Sequence, residues 1–310
     1  MYQMRRSSAV SILFGTLIMG GNVMAANIVT APQGGVARWA GLAASECGVY
    51  GKRYAAVDAV CYYPVDLRTK PGSHEIALWD QDGKQHLGSL HVEKAEFPQV
   101  EMELPESLAR YIKPSEEQNQ RAATEREEIG KILAGIGGAA RFSLPLGEPA
   151  AKLPKSADDF GSERLFNNEK KSLHSGRDYP VGDGSPVKAV ADGTVVLAAD
   201  HFYAGNSVYV DHGDGLVSMN FHLGSISVKS GEEVKRGQTI GTIGSTGRAT
   251  GPHLHIGLRW LGKRIDPALL FANPTTLAAI DATTPGAGDR LGAAAVDRLS
   301  DAARARIATA

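Results

Sequence analysis

The sequence predicts an all-β fold with an N-terminal β-sandwich, a linking helix and a C-terminal antiparallel β domain. Short runs of strand-forming residues alternate with Pro-Gly and Asp-Gly turns through the first third of the chain. A single stretch of helix formers follows Pro114. Closely spaced glycines then divide residues 193–251 into short strands, which favours tight antiparallel turns over βαβ crossovers.

Length and charge limit the classes of function. At 310 residues the chain is longer than one average domain, so we expect two domains with terminal segments. Lys and Arg together number 33 and Asp and Glu together 34, so no strong overall field attracts nucleic acid or lipid. We expect no nucleic-acid partner.

Residues 1–26 have the pattern of a cleavable signal peptide. A basic start precedes an apolar stretch that is shorter than the roughly 20 residues needed to span a bilayer, and small residues stand at Val23 and Ala25. No cysteine lies near the expected cleavage site, which argues against a lipid anchor. We therefore expect a periplasmic or secreted protein with no integral membrane span after cleavage.

Residues 27–112 form the predicted sandwich, which contains both cysteines of the chain, Cys47 and Cys61. They flank a short hairpin-like segment, and an oxidising compartment would join them in a disulfide that contributes about 3 kcal/mol. Neither cysteine lies in a C-x-x-C motif. We therefore expect no cysteine-based catalysis or zinc binding.

The remaining segments follow from local signals. Residues 113–140 predict a helical linker, in which Ser115 is the N-cap and Gln118 completes a capping box. Residues 141–272 form the predicted second β domain. Residues 273–310 are Ala-rich with few large apolar residues, and we expect a flexible or weakly helical tail.

Two patterns in the second β domain indicate a metal site. His174 and Asp178 are four residues apart, and His253 and His255 alternate along a predicted strand, so that their rings project from one face. Either pattern alone is common in proteins where it has no function. From these four residues, two imidazoles and one carboxylate can serve as ligands, and three such ligands with an open fourth position are typical of catalytic zinc.

The motifs HSGRD, NFHLGS and TGRATGPHLHIGL follow one another in an order that resembles the catalytic domain of the lysostaphin-type (LytM-type) zinc metallopeptidases, which cut peptidoglycan peptides. The resemblance implies a barrel-sandwich fold and one Zn²⁺ per chain. It implies that His174, Asp178 and His255 are the metal ligands.

Two further histidines take catalytic roles by the same resemblance. His222 and His253 would act as general base and transition-state stabiliser beside the catalytic water. Which of them first accepts the proton stays open. The family often has tyrosine two residues before His222, whereas this chain has Asn220, whose amide is the candidate oxyanion or substrate contact.

The N-terminal domain resembles, through its strand pattern alone, the immunoglobulin-like module that precedes the catalytic domain in some secreted members. Such a module would regulate access to the cleft, target the enzyme to the wall or act as a spacer.

Together these features imply a secreted zinc endopeptidase that hydrolyses peptidoglycan stem peptides or cross-links, most simply in a Gram-negative envelope. The alternative is a non-catalytic LytM-like activator of cell-wall amidases. The presence of all three ligand positions argues against it. A peptidase directed at the walls of other species would share the chemistry and differ in its target.

Overall fold

The structure is a computed structural model that describes residues 27–151, 153–154 and 159–281. The predicted signal peptide, and the part of the expected tail after Asp281, lie outside the described residues. Within them the fold is all-β, as the sequence predicted. None of the described helices has the length and apolar character that a membrane span requires.

The N-terminal region is a two-sheet sandwich. Its strands are β1 (Ile28–Pro32), β2 (Val36–Ala40), β3 (Ala44–Val49), β4 (Lys52–Ala55), β5 (Cys61–Pro64), β6 (Gly72–Asp80) and β7 (Gln85–Glu93), and they are followed by β8 (Gln99–Met102). A five-stranded sheet in the order β1-β7-β6-β3-β4 shares a core with a smaller sheet built on β2 and β5. The disulfide between Cys47 and Cys61, with Cα atoms 5.4 Å apart, joins β3 of one sheet to β5 of the other.

A helical segment and the second β domain follow. Their elements are α1 (Glu116–Ala134), β9 (Glu163–Phe166), β10 (Lys170–Leu173), β11 (Arg177–Tyr179), β12 (Pro186–Lys188), β13 (Gly193–His201), β14 (Gly205–Asp211), β15 (Leu216–Leu223), β16 (Ser225–Ile226), β17 (Glu233–Val234), β18 (Thr239–Thr242), β19 (Leu254–Trp260), β20 (Lys263–Ile265), α2 (Pro267–Phe271) and β21 (Ala279–Asp281), with 3₁₀ turns at Glu106–Tyr111 and Pro274–Thr276. The main sheet has the order β11-β19-β15-β14-β13-β17, with β20 beside β19. One of its faces shares a core with the small sheet β12-β18-β16.

Helix α1 begins with the capping box that the sequence predicted, formed by Ser115 and Gln118. Its apolar residues Ile129, Ile132 and Leu133 pack against the other face of the main sheet. The helix covers only part of that face. The uncovered end of the same face carries the cleft described below.

The boundary between the two β regions differs from the expected one. Strand β8, which falls inside the predicted 27–112 sandwich, pairs in parallel with β9 and belongs to the separate sheet β10-β9-β8. Asn167 fixes the chain just after β8, because its Oδ1 accepts from the Leu104 N–H at 2.6 Å. A segment of the N-terminal region therefore borders the second domain.

Regular structure also continues past residue 272, which corrects the expectation of a tail from residue 273. Strand β21 pairs in parallel with β2, with Arg38 opposite Ala279 and Ala40 opposite Asp281. Ile280 is buried in the sandwich core. The partner strand β2 lies near the other end of the described residues, so no local sequence pattern predicts this pairing.

The sandwich packs directly on the second domain. The rings of Tyr62 and Trp260 lie 5.6 Å apart, and Asp66 accepts hydrogen bonds from the Arg264 side chain at 2.7 and 3.0 Å. A backbone bond of 2.9 Å from the Asp266 N–H to Gly34 adds to the contact. These contacts hold the sandwich against the second domain.

Candidate metal centre and active site

The candidate site lies where strands β11, β19 and β15 run side by side. Asp178 of β11 is directly opposite His255 of β19, and His255 is directly opposite Phe221 of β15. Side chains that are directly opposite in antiparallel strands share a face of the sheet. Sheet register thus brings together a carboxylate and an imidazole that are far apart in sequence.

His174, which follows β10, completes a three-residue cluster. Its Nε2 lies 3.1 Å from Nδ1 of His255 and 3.2 Å from Oδ1 of Asp178, and the last two atoms are 2.8 Å apart. The two histidines are 6% and 8% exposed. Two imidazole nitrogens and one carboxylate oxygen thus converge in a buried site. This is the donor set of a zinc site with an open coordination position, so these residues fit the metal.

Two charged residues that the sequence analysis did not single out hold this cluster in place. Nδ1 of His174 lies 2.9 Å from the Arg164 guanidinium, 3.1 Å from the Asp159 backbone carbonyl and 3.2 Å from the Asp159 carboxylate, so Nε2 is the nitrogen left for a metal. Arg164 donates to Asp159 and to the outer oxygen of Asp178, both at 2.7 Å. The only sequence signal for them was their position in the stretch that precedes HSGRD.

The electrostatics of the cluster favour the metal-binding forms of Asp178 and His255, whereas His174 is shifted toward its protonated form. Burial opposes ionisation of Asp178, but its hydrogen bonds with His174 and His255 outweigh burial and hold its pKa far below the usual range. Burial lowers the pKa of His255. Burial also opposes protonation of His174, yet its hydrogen bonds with Asp159 and Asp178 raise its pKa. The Asp178 carboxylate is thus charged and His255 is neutral.

Gly176 has a specific steric reason to be glycine. A Cβ on this residue would lie 2.6 Å from the carbonyl oxygen of Ile256 and 2.7 Å from Nε2 of His255. The structure shows that the absent side chain lets β11 lie directly against the imidazole of His255.

The two accessory histidines present the same nitrogen to the cleft. Nδ1 of His222 lies 2.8 Å from the Thr246 carbonyl, and Nδ1 of His253 lies 2.9 Å from the Gly251 carbonyl. Because a carbonyl only accepts, each Nδ1 is assigned the proton and each Nε2 keeps a lone pair. Burial, followed by the nearby His255 and His253, lowers the pKa of His222 to about 3. His222 is therefore neutral.

The backbone at His222 explains how it reaches the cleft. Alternation along β15 would turn residue 222 away from the face that carries Phe221, but His222 adopts a left-handed φ of 60°. Its ring then lies 5.2 Å from the ring of His253, and Nε2 of His253 lies 3.6 Å from Oδ1 of Asp178. The structure therefore brings both accessory histidines to the metal cluster.

Asn220 lies elsewhere, which corrects its interpretation as an oxyanion contact. It is directly opposite Val208 and Ile256, which are fully buried in the core on the far face of the sheet. Asn220 itself is 1% exposed, and its Oδ1 has no partner among the described residues. The alternation of the strand thus turns this amide away from His255.

The cleft encloses about 470 Å³ and extends from the metal cluster to Arg248. Tyr203 and Phe166 line its far end, together with Met102 and Leu104 from the segment around β8. The other two histidines of the domain are buried away from the cleft. His201 lies 2.6 Å from Ser207 Oγ and His212 lies 2.9 Å from Ser218 Oγ.

Peptidase family M23 matches residues 172–267, the stretch that contains the metal cluster and both accessory histidines. The peptidoglycan DD-endopeptidase ShyA of Vibrio cholerae is 41% identical over 111 residues, which are 36% of this chain and 26% of ShyA. The DD-carboxypeptidase/endopeptidase Mpg of Neisseria meningitidis is 36% identical over 141 residues, which are 46% of this chain and 31% of Mpg. The chain thus spans about a quarter to a third of the length of these relatives.

A crystal structure of a candidate M23 peptidase from Pseudomonas aeruginosa is similar over a larger part of the fold. It covers 77% of this chain and 94% of its own, with a TM-score of 0.59 and 29% sequence identity. The similarity therefore extends beyond the 96 residues that the family matches, and includes parts of the N-terminal region.

Proposed function

Because residues 172–267 form a domain of peptidase family M23, we propose that the protein is a zinc-dependent endopeptidase that hydrolyses amide bonds in peptidoglycan stem peptides or cross-links. One observation carries the proposal: His174, Asp178 and His255 converge on one point beside the rings of His222 and His253. The relatives ShyA and Mpg, which are named as peptidoglycan peptidases, support this substrate class.

The ligand set supports zinc as the metal, held by Nε2 of His174, a carboxylate oxygen of Asp178 and Nδ1 of His255. When bound, zinc supplies Lewis acidity, which polarises the scissile carbonyl and lowers the pKa of a water molecule. Arg164 and Asp159 keep the ligands in the required orientation.

The accessory histidines move the proton. Nε2 of His253 or of His222 accepts it from the attacking water and later returns it to the leaving amine. Each ring is held in one tautomer by a backbone carbonyl, so its basic nitrogen faces the cleft before substrate arrives. Both histidines have the same tautomer, so either of them can accept the proton first.

A cell-wall substrate requires export, which agrees with the signal peptide expected over residues 1–26. The proposal therefore locates the enzyme in the periplasm or outside the cell.

The test uses the full chain, purified with zinc and incubated with isolated sacculi. We expect about one zinc per chain and release of muropeptides, identified by mass spectrometry, that stops when a chelator is added. His174→Ala should lose both zinc and cleavage. His253→Ala should keep zinc and lose at least about a hundredfold in turnover.

His86→Ala is the matched control, because His86 pairs with Asp80 in the sandwich and does not line the cleft. It should leave zinc content and cleavage unchanged. Zinc-loaded protein that releases no muropeptides, yet stimulates an added amidase, would replace the enzyme by the activator hypothesis. Loss of zinc from His253→Ala would overturn the assignment of its role.

A further inference from the structure

Arg248 is a half-buried cation in the cleft that lacks a carboxylate partner. Its guanidinium donates to Ser172 Oγ at 3.0 Å, and no Asp or Glu of the described residues forms an ion pair with it. The neighbouring Arg164 differs, because it is paired with both Asp159 and Asp178. Asp159 and Asp178 are therefore already paired with another arginine.

Aromatic rings hold the guanidinium in place. It lies 4.4 Å from the ring centroid of Phe166 and 5.2 Å from that of Tyr203. Burial lowers the pKa of Arg248 to about 10, with Arg164 contributing in the same direction, so the group stays charged at neutral pH. A charge that is removed from water without an ionic partner is costly to maintain.

The backbone around Arg248 is fixed as well. The Arg248 N–H donates to the Tyr203 carbonyl at 2.9 Å, and a Cβ on Gly247 would lie 2.4 Å from the Gly205 nitrogen. The loop at residues 203–205 and the loop at residues 247–248 are therefore packed against each other. The guanidinium is presented to the cleft in a preorganised position, which reduces the entropy lost on binding.

We propose that Arg248 is the receptor for a free carboxylate of the peptide substrate. A guanidinium has a planar fork of donors that matches a carboxylate in two parallel hydrogen bonds, and Ser172 uses only one of those donors. Arg248 lines the same cleft as His222 and His253, so the carboxylate belongs to the peptide that is bound in this cleft. The inference rests on the proposed peptidase function and specifies its substrate as an anionic peptide.

Two carboxylates of a stem peptide have this chemistry. One is the α-carboxylate next to the scissile nitrogen, as in a peptide ending in D-alanyl-D-alanine, and the other is the α-carboxylate of a γ-linked D-glutamate on the acyl side. Two peptide pairs separate these sources. In the first pair the terminal carboxylate is replaced by a carboxamide, and in the second pair the glutamate is replaced by isoglutamine.

Binding is measured by calorimetry on the full chain that carries zinc and the substitution His253→Ala, so that turnover does not interfere. We expect one of the two carboxylate peptides to bind about ten- to a hundredfold more tightly than its amide counterpart. Adding Arg248→Gln should remove this preference, and adding Arg248→Lys should restore part of it. Arg68→Gln, at an exposed arginine outside the cleft, is the matched control and should keep the full preference.

The same substitutions are then compared in cleavage assays on otherwise wild-type protein. Arg248→Gln should raise KM for the preferred carboxylate peptide more than it lowers kcat, with zinc content unchanged. Equal affinities within both pairs, no detectable binding of any of the four peptides, or a preference that survives Arg248→Gln would overturn the proposal. An Arg248-dependent preference without any cleavage would leave the carboxylate site standing and overturn the peptidase function instead.

Discussion

Replacing Gly176 with alanine should weaken metal binding because the added methyl group has no space. The new Cβ would lie 2.7 Å from Nε2 and 2.8 Å from Cε1 of His255, whereas ordinary contact begins at 3.4 Å, so the ring must retreat by about 0.7 Å. Metal–ligand distances tolerate changes of only about 0.2 Å. The other close atom is the Ile256 carbonyl oxygen, and Ile256 is directly opposite Arg177 in the pairing of β11 with β19.

We expect the zinc affinity of Gly176→Ala to fall about ten- to a hundredfold, the range found when groups that support metal ligands are changed. The assay is competition between the full chain and a chromophoric chelator, with thermal unfolding of the metal-free protein measured in parallel. Gly182→Ala is the control, because the nearest atom to its added Cβ is Ser185 Oγ at 3.8 Å.

Equal zinc affinities in the two alanine variants would refute the steric argument. A loss of stability in the metal-free Gly176→Ala protein, with zinc affinity unchanged, would also refute it. That result would show that the pairing of β11 with β19 is disturbed while the His255 ring stays in place.

Three further changes test other features of the structure. Asn220→Leu should leave kcat unchanged and raise the free energy of unfolding by up to about 1 kcal/mol, because it removes a buried oxygen without a partner, whereas an oxyanion contact would cost about a hundredfold in kcat. Replacing both Cys47 and Cys61 by alanine should lower the free energy of unfolding by about 3 kcal/mol in urea titrations and leave zinc content unchanged, since the bridge lies outside the cleft; an unchanged midpoint would contradict this. Burial lowers the pKa of His212 to about 4, so between about pH 6.5 and pH 4 the unfolded chain binds a proton that the folded protein does not, and the free energy of unfolding falls as the pH falls. Urea titrations of the metal-free protein should show that His212→Asn removes up to about 3 kcal/mol of this loss. A pH dependence that His212→Asn leaves unchanged would refute this prediction.

The sequence predicted the parts of the site that depend on short-range periodicity. His253 and His255 were expected on one face of an extended segment, and both rings do reach the Asp178 carboxylate. The capping box at Ser115 was likewise predicted, because its two partners are three residues apart. In each case the predicting pattern lies within four consecutive residues.

The wrong and missing predictions depend on pairing between distant segments. The direction of the Asn220 side chain follows from register with β14 and β19, and the left-handed backbone at His222 breaks the alternation that links the two residues. Asp159 and Arg164 gain their importance only when the chain folds them against His174 and Asp178. Such contacts leave no spacing rule in the sequence.

The parallel pairing of β21 with β2 has a consequence for biosynthesis. The smaller sheet of the sandwich receives its third strand from residues that leave the ribosome after the whole metal-binding domain. Ile280 is the last residue of the sandwich core to be synthesised, and until β21 pairs with it β2 is an open edge of the sandwich. Folding that proceeds from the amino terminus therefore leaves the smaller sheet incomplete until β21 is available to pair with β2.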